Sequence, residues 1–480
     1  MAVSSLLSYL LVAVYFFFVI SCIIVVLSEN RNPIRSLAWV IALIFLPFVG
    51  IVFYLFLGRN PKMQHIISRH YKRRIANATR PENPDTSALG LSKELEQLAR
   101  LAANISISPL TMNNELEIFS DGAMKFEALE EDLRAAKSSI YLQYYIFSDD
   151  ALGQEIADIL MERARAGVIV KVIYDHVGSF SARNRFFKRL RAAGVDAHPF
   201  FKVTFHHLAS RINWRNHRKI VVIDGKVGYI GGMNIAQRYV FGTGDGRVWR
   251  DTHFRVRGEI VKSLIASFAI DWSFTNKPFE HPHQPDEPQP QPQPQKQSRI
   301  GMQLICSGPT ERWANLSMCF LSAITAAQKH IYIQTPYFLP TEALLQALQA
   351  AALAKVDVRI MIPGVSDSRL IRYASFSYIT QCLQAGIKVY LYKPGMLHAK
   401  TMIIDDDFCT SGSTNFDFRS LENNFESNLL IYSHEANQAM QRIFFEDQEQ
   451  CVKLSLSQWH RRPLGQRFLE STVRLLSPIL

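Results

Sequence analysis

Little in this chain is suited to metal or thiol chemistry. Its six cysteines (Cys22, Cys306, Cys319, Cys382, Cys409 and Cys451) form no C-x-x-C pair and no zinc-ligand spacing. They read as buried thiols in a reducing compartment, which argues against a disulfide framework. No glycine-rich phosphate loop of the P-loop type is present, so nothing is built to hold a nucleoside triphosphate. The first residues, Met1-Ala2-Val3-Ser4, lack the Lys or Arg that a cleaved secretory signal carries. No metal and no cofactor is therefore expected.

What is abundant is apolar sequence at the start. Residues 5–27 are uncharged and mostly apolar. Residues 36–57 form a second such run through Trp39, Phe45, Phe48, Phe53 and Phe56. About 20 apolar residues span a bilayer, so two transmembrane helices are expected, a hairpin over residues 1–58. Pro47 and Gly50 would kink the second, which is tolerated if the helices pack together. The loop between them holds only Arg31 and Arg35, beside Glu29. After the second run come Arg59, Lys62, Arg69, Lys72, Arg73 and Arg74. The positive-inside bias then places the rest of the chain in the cytoplasm, as part of a multi-pass protein. Arg69–Arg74 reads either as a contact with anionic headgroups or as a solvated charge run. The balance of 53 basic to 42 acidic residues, net +11, calls for an anionic partner: nucleic acid, phospholipid or phosphate.

One pattern occurs twice. Asn216-His217-Arg218-Lys219 leads through Ile220–Ile223 to Asp224, and His398-Ala399-Lys400 leads through Thr401–Ile404 to Asp405. Both are H-x-K-x4-D. After six intervening residues each Asp is followed by a small-residue turn ending in Asn, Gly231-Gly232-Met233-Asn234 and Gly412-Ser413-Thr414-Asn415. The surroundings repeat as well. Tyr332–Phe338 matches Tyr141–Phe147, and Val356–Ile362 matches Val168–Tyr174. Apolar strand-like runs alternate with helical ones such as Ala123–Lys137 and Gly153–Ala166. The expected fold is an α/β tandem duplication, two mixed sheets flanked by helices about a pseudo-twofold. The halves are residues 113–277 and 299–455. A basic connector over 59–112, with a helical stretch near Leu91–Leu101, precedes them. A Pro/Gln linker over 278–298 joins them, because proline cannot donate to a ladder and glutamine builds no core. His281 and His283 are solvated members of that linker, and His206-His207 reads as loop or core. Tyr144, Tyr145, Tyr337 and Phe338 read as sheet core or as the lining of a lipid cleft.

Each half offers one imidazole and one ammonium, so the pair offers two of each. Two histidines facing one phosphodiester divide the work: one attacks phosphorus, the other protonates the leaving oxygen. Lys219, Lys400, Asn234 and Asn415 would hold the equatorial oxygens. His217, Lys219, Asp224, His398, Lys400 and Asp405 are thus the candidate catalytic set. Strand alternation, however, turns Asp224 and Asp405 away from the histidines, toward tying down the following turns. Asp251 and Glu426 follow the Asn of their copies and are expected to orient the imidazoles, with Asp251 near His217. The end of the chain, 456–480, is expected to form an amphipathic helix over Leu464–Leu476, stopped by Pro478. Leu464, Phe468 and Leu475 share one arc, Leu469 and Leu476 widen it, Arg467 and Arg474 flank it, and Val473 lies opposite. It reads as a helix lying in headgroups or docked on the catalytic halves.

The paired motif with its trailing G-[GS]-x-N resembles the phospholipase D superfamily over about residues 113–455. A finer resemblance, to bacterial cardiolipin synthases, covers nearly the whole chain. It includes Leu37-Ala38-Trp39, Pro47-Phe48-Val49-Gly50, Arg215-Asn216 and Trp459-His460-Arg461-Arg462-Pro463-Leu464. The resemblance implies two phospholipase D-like domains in a bacterial cytoplasmic membrane protein whose partners are phosphatidylglycerol and anionic lipids, not nucleic acid. It implies transfer of a phosphatidyl group between two phosphatidylglycerols through a phosphohistidine, with His217 as nucleophile and His398 as acid. The Pro/Gln linker and the glycine-rich tract Phe241–Arg247 depart from the family pattern. The rival readings are a phospholipase D or nuclease with water as acceptor, and a scaffold on a dead fold; both intact motifs argue against the last.

Overall fold

A computed structural model describes residues 2–28, 33–46, 49–54, 89–106, 108–182, 184–202, 214–275, 277, 279 and 300–477. The basic run after residue 58, His206-His207 and the linker residues 280–298 lie outside the described residues. The chain divides into two units, Met1–His65 with Val203–Asn213, and Ile66–Lys202 with Trp214–Leu480.

The first unit holds α1 (Ala2–Ser28), α2 (Pro33–Phe45) and α3 (Val49–Phe53). The α1 backbone runs unbroken for 27 residues and its sequence carries no charged side chain. Counting only described residues, no helix is long and apolar enough to cross a membrane. The second apolar run is not one helix. Helix α2 ends at Phe45 and α3 begins at Val49, with residues 47 and 48 outside the described residues. The Gly50 N–H reaches the Leu46 carbonyl at 2.7 Å. A Cβ at Gly50 would lie 2.6 Å from the Ala42 carbonyl oxygen, so only glycine permits this approach. Val19, Val26, Leu43 and Tyr54 make a small core, while Phe17 and Phe45 are 69% and 75% exposed. Ser21 and Ser28 donate to their own helix carbonyls at 2.7 Å, so their hydroxyls are already satisfied.

In the second unit the first sheet comprises β1 (Asn114–Phe119), β2 (Ser139–Tyr144), β3 (Ile169–Asp175), β4 (Asp196–Phe200), β5 (Ile220–Ile223), β6 (Val227–Gly231) and β7 (His253–Gly258). Their order is β1-β7-β6-β5-β2-β3-β4. Strands β2, β3 and β4 run parallel and the other pairings are antiparallel. Parallel neighbours need a crossover, supplied by helices Ala151–Arg165 and Asn184–Ala192.

The second half comprises β8 (Gly301–Ser307), β9 (His330–Gln334), β10 (Phe338–Leu339), β11 (Asp357–Pro363), β12 (Lys388–Tyr392), β13 (Thr401–Ile404), β14 (Phe408–Gly412), β15 (Phe416–Asp417), β16 (Glu426–Tyr432) and β17 (Cys451–Lys453). Its main sheet runs β17-β12-β11-β9-β13-β14-β16-β8. Strand for strand this is the first sheet again, with β17 added at one edge. Strands β10 and β15 pair separately.

Side-chain alternation sorts the apolar residues into three cores. Val221 and Ile223 face the first half's helices, with Leu129 and Leu160. Met402 and Ile404 do the same in the second half, with Phe320 and Leu348. Ile220, Val222 and Ile403 face the third core, which both halves share through Phe268, Trp272, Met302, Leu397 and Phe444. The expected connector is not connector throughout. Helix Lys93–Ile105 sets Leu98, Ala99 and Ala102 into the second half's core.

The last helix, Leu464–Arg474, docks on the second half by the side opposite its apolar arc. Val473 enters the core, and Glu470, 2% exposed, pairs with Arg462 at 2.6 Å. Arg474 stacks 4.3 Å over Tyr378. Leu464, Phe468 and Leu475 point outward, 78%, 75% and 80% exposed.

Candidate active site

The histidines do not stand on strands. Strand β5 begins at Ile220 and β13 at Thr401, one residue after each lysine. The reason is a crossing of the chain between halves. Asn216 bridges in parallel to Phe425, and the His217 N–H donates to the Phe425 carbonyl at 2.9 Å. Leu397 bridges to Arg250, and the His398 N–H donates to the Arg250 carbonyl at 2.6 Å. Each histidine segment is thereby laced to the segment that carries the other half's acid.

The carboxylates are consequently exchanged. Glu426, not Asp251, meets His217, at 3.1 Å from Nδ1, and the Ser413 carbonyl lies 3.0 Å from the same nitrogen. Asp251 meets His398 Nδ1 at 2.6 Å. This corrects the expectation that Asp251 would lie near His217. A carboxylate only accepts, so Nδ1 carries the proton and each Nε2 is left for substrate.

The small-residue turns fit the two acids. A Cβ at Gly232 would sit 2.1 Å from the Asp251 carboxylate, so that position must be glycine. In the second copy Ser413 stands there and its hydroxyl donates to the longer Glu426. Burial pushes the Asp251 carboxyl above its ordinary value. Burial pushes Glu426 up too, but His217, Lys219 and Ser413 outweigh it and hold Glu426 below the ordinary value.

Lys219 and Lys400 are buried and each donates to the carbonyl of its own histidine. Lys400 also lies 3.6 Å from Asp251. Burial brings the Lys219 ammonium down to about 7, against the pull of Glu426 and with the push of Lys400. Burial lowers Lys400 as well. Both imidazoles are lowered by burial, His398 well below its ordinary value, with Lys400, Lys219 and His217 adding to the effect. These mutual influences place the two histidines and two lysines in one site.

The motif aspartates lie elsewhere. Asp224 accepts the N–H groups of Lys137, Ser138 and Ser139 at 2.7–2.9 Å. Asp405 accepts those of Gln328, Lys329 and His330 at 2.7–3.0 Å. Both take positive φ, +52° and +48°, at the head of the hairpin turn. Asn234 is committed within its own half: its carbonyl accepts from Ile146 N–H at 3.1 Å and its amide donates to the Tyr239 hydroxyl at 3.2 Å. The Asn415 carbonyl oxygen is buried without a hydrogen-bond partner. Among the described residues no group of His, Cys, Asp and Glu is placed to hold a metal ion.

Sequence reasoning missed the groups behind the acids. Arg218 pairs with Asp271 through both oxygens at 2.7 Å and donates to the carbonyls of Glu426 and Ser307 across the halves. Asp271 also accepts from Gln143 and Asn216. In the other copy Arg250 pairs with Asp447 at 2.6 Å, and Asp447 accepts from Gln334. A signal existed. Gln143 and Gln334 occupy the same repeat position, and Arg218 is a charge where the second copy has Ala399. Tyr145, whose ring lies 4.8 Å from His217, is one of the four aromatics read as core or cleft.

A family model described as "Cardiolipin synthase, PLD-like domain" matches residues 129–272 and 320–448, and "Phospholipase_D-nuclease N-terminal" matches 13–59. The chain is 37% identical to Cardiolipin synthase 2 of Bacillus anthracis over 467 residues, 96% of this chain and 90% of that protein. It is 36% identical to the Major cardiolipin synthase ClsA of Bacillus subtilis (strain 168) over 470 residues, 96% and 97% of the two chains. Among solved structures, phosphatidylserine synthase of Haemophilus influenzae Rd KW20 has the same fold, with a TM-score of 0.61 at 16% identity, over 80% of this chain and all of that one. Two halves that share one site, and relatives matched over almost their full length, give one conclusion: the chain belongs to the cardiolipin synthase family of phospholipase D-like proteins.

Proposed function

We propose that this protein is a phosphatidyltransferase that converts two phosphatidylglycerols into cardiolipin and glycerol through a phosphohistidine. The observation that carries the reading is the exchange of carboxylates: His217 with Glu426 and His398 with Asp251 form two oriented pairs in one buried site. His217 Nε2 attacks phosphorus, the P–O bond to glycerol breaks, and His398 gives that oxygen its proton. The acceptor hydroxyl then returns a proton to His398 as its oxygen displaces His217 from phosphorus. Lys219 and Lys400 stabilise the charge on the phosphoryl oxygens, with Asn415 and Asn234 lining the same site. Asp224 and Asp405 act through the turns they hold. One phosphodiester replaces another, so neither nucleotide nor metal is required. A buried site favours a lipid alcohol over water.

Burial disfavours the charged form of both rings, as suits a nucleophile. An arriving phosphodiester anion favours the protonated form of His398, which the acid step requires. The residue that carries a trapped lipid–phosphate adduct checks the order.

The apolar first unit anchors the chain as a hairpin in the bacterial cytoplasmic membrane, with the catalytic halves in the cytoplasm. The outward Leu464, Phe468 and Leu475 give a further contact with the headgroup region, flanked by Arg467. The test is purified protein with phosphatidylglycerol vesicles, without added metal or nucleotide. Cardiolipin and glycerol should appear one for one. Stoichiometric phosphatidic acid without cardiolipin would make the protein a hydrolase.

A further inference from the structure

One cation beside the site has no task in this chemistry. Arg238 stands four residues after Asn234, and Arg419 four residues after Asn415, so the repeat carries an arginine at one offset in both copies. The Arg238 guanidinium lies 4.4 Å over the Trp249 ring, and Trp249 is 5.1 Å from the His398 ring. The Trp249 N–H donates to the Arg238 carbonyl at 3.0 Å, which fixes the stack. Arg215, Arg218 and Arg250, also near the histidines, each have an aspartate. Arg238 pairs with no carboxylate among the described residues, and its Nε is buried without an acceptor. Packing alone accounts for an arginine laid on a tryptophan. It does not account for a preorganised fork left unpaired one ring away from an acid–base histidine, in the geometry that suits a phosphate.

The reaction requires such a group. The acceptor lipid brings its own phosphodiester, one glycerol unit from the hydroxyl that reacts. That second anion must settle beside a site whose two lysines are engaged with the first. We propose that Arg238 binds the phosphate of the acceptor lipid on the His398 side, and so selects an anionic lipid over glycerol or water. This rests on the transferase reading, with His398 as the acid–base group.

The test uses full-length protein in phosphatidylglycerol vesicles and reads two rates. One is cardiolipin formation. The other is exchange of labelled glycerol into phosphatidylglycerol, which needs the donor half-reaction and an uncharged acceptor only. Arg238→Gln should slow cardiolipin formation roughly 10- to 100-fold, the worth of a lost charge-assisted hydrogen bond. Exchange should stay within about threefold. Arg238→Lys, which keeps the charge without the fork, should fall between. Equal loss of both rates overturns the proposal, since misfolding or a donor-side role would give that. An unchanged cardiolipin rate overturns it too, as does selective loss in Arg419→Gln with Arg238→Gln unaffected. Wild-type protein that exchanges glycerol but makes no cardiolipin would sink the transferase reading, and the acceptor site with it.

Discussion

Replacing the two buried carboxylates by their amides should hurt unequally, Asp251→Asn more than Glu426→Gln. The contacts are 2.6 Å for Asp251 to His398 and 3.1 Å for Glu426 to His217. At an effective dielectric of about 20, an imidazolium and a carboxylate at those separations attract by about 6 and about 5 kcal/mol. Part of that survives either change, because an amide oxygen still accepts from Nδ1. His217 keeps a further acceptor, the Ser413 carbonyl at 3.0 Å. His398 has instead the Tyr239 hydroxyl at 3.1 Å, and the ammonium of Lys400 at 2.8 Å, which favours the wrong tautomer. Losing roughly half of the attraction predicts about 10²-fold for either change at about 1.4 kcal/mol per tenfold, and loss of the correct tautomer beside Lys400 takes Asp251→Asn further, to about 10³–10⁴-fold. The assay is initial cardiolipin formation in phosphatidylglycerol vesicles, with a thermal melt of each variant to establish that the fold persists. Either amide variant within threefold of wild type, or Glu426→Gln the more damaged, would refute the reasoning.

Asp224→Ala leaves three backbone N–H groups without their acceptor and should lower stability by about 1–3 kcal/mol, with folded protein keeping activity within about tenfold; melting temperature and rate measured together check this. Lys219, depressed by burial from 10.5 to about 7, loses its charge as pH rises through about 7 in the free enzyme. The rate constant kcat/KM should therefore fall above about pH 7, while the limb in kcat lies higher because bound phosphodiester stabilises the ammonium; coincident limbs would exclude Lys219 as the source. The same shift has a stability consequence. Between about pH 7 and 10.5 the unfolded chain binds this proton and the folded chain does not, so this group's contribution to stability rises with pH over that window. Phe468→Asp should slow turnover on vesicles at least tenfold, since burying such a side chain is worth about 1.5–3 kcal/mol, and leave turnover of detergent-dispersed lipid unchanged; equal rates on vesicles would remove the helix from the membrane surface.

The duplication was legible because it is written in local patterns. Identical offsets from His to Lys to Asp to Asn, and apolar runs of strand length, recur without reference to anything distant in the chain. Mixed sheets covered by helices follow from them, since a parallel pair must be joined by a crossover, usually a helix; the strand order itself does not. Alternation within β5 and β13 was enough to turn Asp224 and Asp405 away from the histidines, though neither histidine stands on those strands.

What the sequence could not contain is the crossing. His217 and Glu426 are 209 residues apart, and His398 and Asp251 are 147. Each carboxylate follows the Asn of its own copy, so the repeat suggests partners within a half. Only the packing of two equivalent halves face to face, laced at Asn216–Phe425 and Arg250–Leu397, decides that the acids are exchanged. The same packing decides the Arg218–Asp271 and Arg250–Asp447 pairs, because a buried guanidinium must find its carboxylate wherever the fold brings one. It decides the last helix too. Periodicity identifies an apolar arc and an opposite side, but the core of the second half accepts Val473 and the Arg462–Glu470 pair and leaves the arc outside. Spacing along the chain determined which groups this protein possesses; the surface on which its two halves meet determined which of them touch.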